Sequence, residues 1–75
     1  MINELDIVIL EVDLPKLKLA AGDMGTVVHV YEKHAAFEVE FIATDGSTIA
    51  VTTLLPKQIR LASTKKEIFH VRKVA

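Results

Sequence analysis

The chain has 75 residues, 51% of them hydrophobic, with 9 Lys+Arg against 10 Asp+Glu and no cysteine. Those figures describe one small domain with a single core, too apolar for disorder and without disulfide or thiol chemistry. No apolar run approaches the roughly 18 residues of a membrane span, and Met1-Ile2-Asn3-Glu4 does not read as a signal peptide, so the expected setting is soluble and cytoplasmic.

In chain order, residues 5–12 (LDIVILEV) are rich in β-branched side chains and predict a strand. Asp13-Leu14-Pro15 ends it, because proline removes a backbone donor. Residues 16–21 read as a loop with an apolar foot at Leu17 and Leu19, and Gly22-Asp23 turns the chain. Residues 25–31 (GTVVHVY) predict the next strand and residues 32–35 a polar turn. Residues 36–42 (AFEVEFI) alternate, with Phe37, Val39 and Phe41 on one face and Glu38 and Glu40 on the other. That period of two is the pattern of a half-buried strand. Asp45-Gly46 predicts a hairpin turn, residues 48–54 a fourth strand, residues 56–58 a short 3-10 turn, and residues 59–61 a short fifth strand.

Turn length predicts register. A two-residue loop at Asp45-Gly46 would set Phe41 opposite Ala50 and Val39 opposite Thr52, leaving Ile49 and Val51 in solvent. A three-residue loop, Thr44-Asp45-Gly46 with Gly46 left-handed, sets Phe41 opposite Ile49 and Val39 opposite Val51, with Glu38 opposite Thr52 outside. A one-residue slip flips every side chain, so burial of Ile49 and Val51 selects the three-residue loop with a glycine bulge. By the same reasoning the 32–35 turn sets Val30 opposite Phe37, Val28 opposite Val39 and His29 beside Glu38 on the outer face. Val27 and Ile42 then point outward.

Five short, closely connected strands with one core predict an all-β fold, a small five-stranded antiparallel barrel whose closure removes exposed edges. The barrel spans 1–62, and 63–75 forms a C-terminal extension. Thr64 and Glu67 make a capping box that could start a helix at Lys65. Ile68, Phe69, Val71 and Val74 are strand formers, and the reading adopted is an added strand docked on the first one.

Leu5-Asp6, Asp13-Leu14-Pro15, the segment AGDMGTVV at 21–28, Tyr31-Glu32, FEVEF at 37–41, Asp45-Gly46 and Leu54-Leu55-Pro56 together resemble a bacterial family of short proteins, domain of unknown function 4926. The resemblance covers residues 4–61, and 63–75 departs from the family pattern. It implies an SH3-like barrel and carries no known activity. The Gly-Asp-x-Gly-Thr-Val-Val segment is also similar to the glycine-turn strand of KOW-type domains. Such short proteins are associated with small operons for toxin–antitoxin or immunity pairs, which implies an antitoxin or immunity-type role.

Few residues suggest chemistry. His29 and His34 are on a strand and a turn and would diverge, so no metal site is expected from them or from His70. Glu38 and Glu40 share a strand face, where two carboxylates could serve acid–base work only if their surroundings differed. Ser47 and Ser63 lack a recognisable base, and Gly22-x-x-Gly25 opens a strand rather than a phosphate-binding helix. The expectation is a non-enzyme without cofactor.

Charge is split along the chain. Residues 1–45 hold nine acids and three bases, residues 46–75 one acid and six bases. The basic end would suit nucleic acid, as in KOW-type barrels, or it would fold back on the acidic part. Aromatics are only 5%, with Phe37 and Phe41 in the core, Tyr31 near a turn and Phe69 in 63–75, which disfavours single-strand binding. The first strand is apolar on both sides, Val8 and Leu10 against Ile7 and Ile9. Unexplained apolar surface marks a contact site. The sequence therefore predicts a protein-interaction module with a candidate surface of Ile7, Ile9, Ile42, Ile68, Phe69 and Val71, a protein partner, and a homodimer through 63–75. The alternative is a nucleic-acid-binding accessory domain.

Overall fold

The computed structural model describes residues 1–62. Five strands form one antiparallel sheet: β1 (Ile7–Leu10), β2 (Met24–Val30), β3 (Phe37–Ile42), β4 (Thr48–Leu54) and β5 (Ile59–Leu61), in the order β4-β3-β2-β1-β5. Single 3-10 turns lie at Pro15–Leu17, Glu32–His34 and Pro56–Gln58. The docking of 63–75 lies outside the described residues.

All five strands feed one core. Val8, Leu10, Val27, Phe37, Val39, Phe41, Leu54 and Ile59 pack together with Leu19 from the β1–β2 loop. A flat sheet cannot bring its two edge strands to one cluster, so the sheet curls around these side chains. The expected closure is not reached. Among the described residues no ladder joins β4 to β5, and in place of the expected SH3-like barrel stands one open, curled sheet with two edges. Closure would require β5, three residues long, to pair on both sides, and it pairs with β1 alone. Of the expected apolar foot, Leu19 is buried and Leu17 stays at the surface.

Two bulges set the register, and both serve Phe41. The β3–β4 loop is the three-residue turn expected: Ala43 N–H donates to Ser47 O at 2.8 Å, and Gly46 has φ +90°, which glycine adopts freely. Ile42 then pairs with Thr48, as that loop requires. The ladder slips at the next position, so that Phe41 pairs with Ala50 and Val39 with Thr52, leaving Ile49 as the extra residue. The expected pairings of Phe41 with Ile49 and of Val39 with Val51 are therefore incorrect above the turn. β2 behaves likewise. Val30 pairs with Phe37 and His29 with Glu38, as expected, but the ladder then slips and Val27, not Val28, faces Val39. Val27 is fully buried and Val28 is exposed, the reverse of the expected sides.

The common cause is room for a ring. After both slips, Phe41 has Gly25 on one side and Ala50 on the other. A Cβ at position 25 would lie 2.6 Å from Val39 Cγ1 and 2.8 Å from Phe41 Cε1. The largest side chain of the sheet is flanked by the smallest residues, which is how a small core reaches native packing density.

Candidate functional site

With the inner face of the sheet filled by the core, the outer face is what can meet another molecule. Its centre is a row across four strands: Ile7 on β1 is register partner of Thr26 on β2, Thr26 of Glu40 on β3, and Glu40 of Val51 on β4. Ile7, Met24, Thr26, Glu40 and Ile42 line a shallow dimple of about 110 Å³ beside Gly25. Its walls are apolar except for a hydroxyl and one carboxylate. Glu40 is half-buried and accepts one hydrogen bond, from Thr48 Oγ1 to Oε2 at 3.2 Å. No cation among the described residues pairs with it.

The neighbouring carboxylate is engaged more fully. Glu38 Oε1 accepts from Thr53 Oγ1 at 2.6 Å and from the Tyr31 hydroxyl at 3.0 Å. His29 lies opposite Glu38 in register, yet its ring meets Tyr31 edge-on, with centroids 4.6 Å apart, instead of bonding the carboxylate. Glu38, Tyr31, Thr53 and His29 thus form a polar cluster on the face, and Glu40 with its apolar neighbours forms a second cluster beside it. A positive group that also carries a hydrocarbon stem, as lysine and arginine do, matches the Glu40 cluster: the stem lies on Ile7, Met24 and Ile42 while the head reaches the carboxylate.

The candidate residues fall differently on this face. Ile7 is half-buried and Ile42 is 46% exposed, and both line the dimple. Ile9 is only 4% exposed and cannot serve as open contact surface. It sits on the second strand from the β5 edge with the long side chains of Met24 and Arg60 as its register neighbours, so the outward side of β1 is not left bare. Ile68, Phe69 and Val71 lie outside the described residues. Besides Val28, two residues of β4 expected in the core are exposed: Ile49 at 43% and Val51 at 51%. The signal for them was Leu54. The observed register buries Leu54 opposite Phe37, whereas the expected one would have turned it outward.

Ionisation elsewhere is local. Asp45 in the β3–β4 turn is held below the usual carboxylate value by hydrogen bonds from the Ser47 hydroxyl and the Ser47 backbone N–H. Among the described residues there is no group of three or more His, Asp or Glu placed to hold a metal ion, and no helix is long and apolar enough to cross a membrane.

Comparison with known proteins adds the family. Neither the curated proteins nor the solved structures include a match. A family profile described as "Domain of unknown function (DUF4926)" matches residues 4–61, which takes in all five strands, both bulges and the whole dimple. The chain belongs to the DUF4926 family.

Proposed function

We propose that this domain is a non-enzymatic protein-interaction module that contacts a basic partner through the outer face of its sheet. The observation that supports this reading is the dimple. Ile7, Met24 and Ile42 surround a half-buried Glu40 that has a hydroxyl partner and no cation among the described residues. A carboxylate without a counter-charge can take one from a partner, and the apolar rim around it favours burial of the stem of a long basic side chain. The concrete form of this reading is an antitoxin or immunity-type role, in which the domain covers another small protein.

The carboxylates of the outer face argue against nucleic acid, because phosphates would meet Glu38 and Glu40 at its centre. The test is capture of a partner from the native cell by the full chain, run in parallel with Glu40→Lys and Ile42→Lys. The expected result is a small basic protein held by the wild type and lost from both variants. Equal capture by all three proteins would move the contact off this face. Sub-micromolar binding of single-stranded nucleic acid, abolished by changing Lys65, Lys66, Arg72 and Lys73 to Glu, would replace the reading with the nucleic-acid one.

A further inference from the structure

The two edges of the sheet are unlike. β5 is three residues long and carries Arg60, whose Nε lies 2.9 Å from Glu11 Oε2. Short length and charge are the usual means by which natural sheets discourage pairing at an edge. β4 is seven residues long, TIAVTTL, and holds no charge, no proline and no glycine. Its one departure from regularity is the bulge at Ile49, near the turn. Beyond β4, among the described residues, its outward backbone N–H and C=O groups meet no further strand. Ile49 and Val51 stand exposed at that edge.

We propose that β4 is the interface between two copies of this chain, joined antiparallel edge to edge about a two-fold axis. This goes beyond the contact through the dimple, because it concerns another surface and another occupant. Self-association is favoured over a foreign segment by the charge pattern. An isologous contact places a patch against itself, so any charge on it would face its own copy. β4 is uncharged throughout, and the nearest acids sit one strand in, on β3. In the joined sheet the two Glu40 side chains are three strand spacings apart, about 14 Å. That exceeds the Debye length of about 8 Å at physiological salt, so their repulsion is screened.

The register follows from the side chains. Directly paired residues lie on one face of an antiparallel sheet. A two-fold axis at Ala50 places Ile49 opposite Val51 of the second copy, and Val51 opposite its Ile49. Both exposed apolar residues then gain a β-branched neighbour, and the edge gains a ladder of backbone hydrogen bonds. The two outer faces become one continuous surface with a Glu40 dimple on each half.

Light scattering on the full chain over a range of concentrations tests this. Wild type is expected to run as a dimer that dissociates on dilution. Val51→Lys is expected to be folded and monomeric, with a melting temperature that no longer depends on concentration, whereas that of wild type rises with it. The double substitution Ile49→Cys with Val51→Cys, in a chain that has no other cysteine, is expected to oxidise to intermolecular disulfides joining position 49 to position 51. A wild type that stays monomeric at about 1 mM, a threshold far weaker than a specific dimer requires, overturns the proposal and leaves the edge for a foreign strand. A dimer unaffected by Val51→Lys and without those disulfides also overturns it, and places the contact elsewhere, residues 63–75 included. Val51→Lys also sets a cation opposite Glu40, so capture of a basic partner is tested separately, by Glu40→Lys and Ile42→Lys.

Discussion

β3 and β4 are hydrogen-bonded neighbours, yet they divide their side chains between the faces in opposite ways. β3 turns Phe37, Val39 and Phe41 inward and Glu38 and Glu40 outward. β4 places the smaller Ala50 and Thr52 opposite the inward-facing Phe41 and Val39 and sends Val51 outward, with Ile49 at the bulge also exposed. The difference is one of position. β3 has neighbours on both sides and supplies both core phenylalanines. β4 is an edge strand whose inner face must yield volume to Phe41 and close over Phe37 with Leu54. Overfilling a packed core is as damaging as leaving a hole in it, so the strand beside a large ring carries its smaller residues inward. The outward apolar residues of β4 are a consequence of that volume limit, and they are what the proposed edge-to-edge contact would cover.

Substitutions can break this contrast at several strengths. Phe41→Ala removes the ring around which both bulges are arranged, and should cost about 3–5 kcal/mol, enough to unfold a domain of ordinary stability. Urea unfolding measures it. A loss below about 1 kcal/mol would mean that the ring is not central to the core. Leu54→Ala should cost about 2–5 kcal/mol, while Val51→Ala, three residues earlier on the outer side, should cost less than about 0.5 kcal/mol. Urea midpoints that rank these two the other way round would show that β4 pairs in the alternative register. Gly25→Ala adds a single methyl group against Val39 and Phe41 and should cost about 1–3 kcal/mol by overpacking. If the same change is made together with Phe41→Leu, part of that loss should return, because the shorter side chain gives the methyl room.

The sequence carried the strands, the turns and the outer position of Glu38 and Glu40. β3 was legible because its own alternation assigns its faces without reference to neighbours. The three-residue turn was legible because only glycine readily takes the left-handed position at Gly46. What stayed hidden was the pair of bulges. A bulge is chosen by volume on the neighbouring strand, and Gly25 and Ala50 reveal their purpose only beside Phe41. The error at the candidate site has the same root. Burial of Ile49 and Val51 was set against their exposure, while Leu54 at the far end of the same strand was not counted. Ile42 keeps its predicted side because the extra residue lies on β4 and leaves the alternation of β3 intact, and Ile7 because β1 pairs with β2 without interruption.

The smallest expected effect lies in the turn that connects the two strands. Asp45 Oδ1 accepts from Ser47 N–H at 2.9 Å and from Ser47 Oγ at 2.7 Å, and these bonds favour the ionised carboxylate. Its pKa is therefore below the ordinary value of 3.8. A carboxyl whose pKa is lower in the folded than in the unfolded chain binds fewer protons when folded. Its contribution to stability is thus complete well above pH 3.8 and is lost as the pH falls through the lowered value. Asp45 is fully exposed, so solvent screening keeps the contribution small. Asp45→Asn keeps an acceptor for Ser47 and removes only the charge. Its urea midpoint should fall slightly below that of wild type at neutral pH, and the two should converge in acid. A gap of constant size from neutral pH down to strong acid would assign the effect to turn geometry instead. In either case Phe41 should keep its place between Gly25 and Ala50, because the register of β4 is set by the core and not by the charge of its turn.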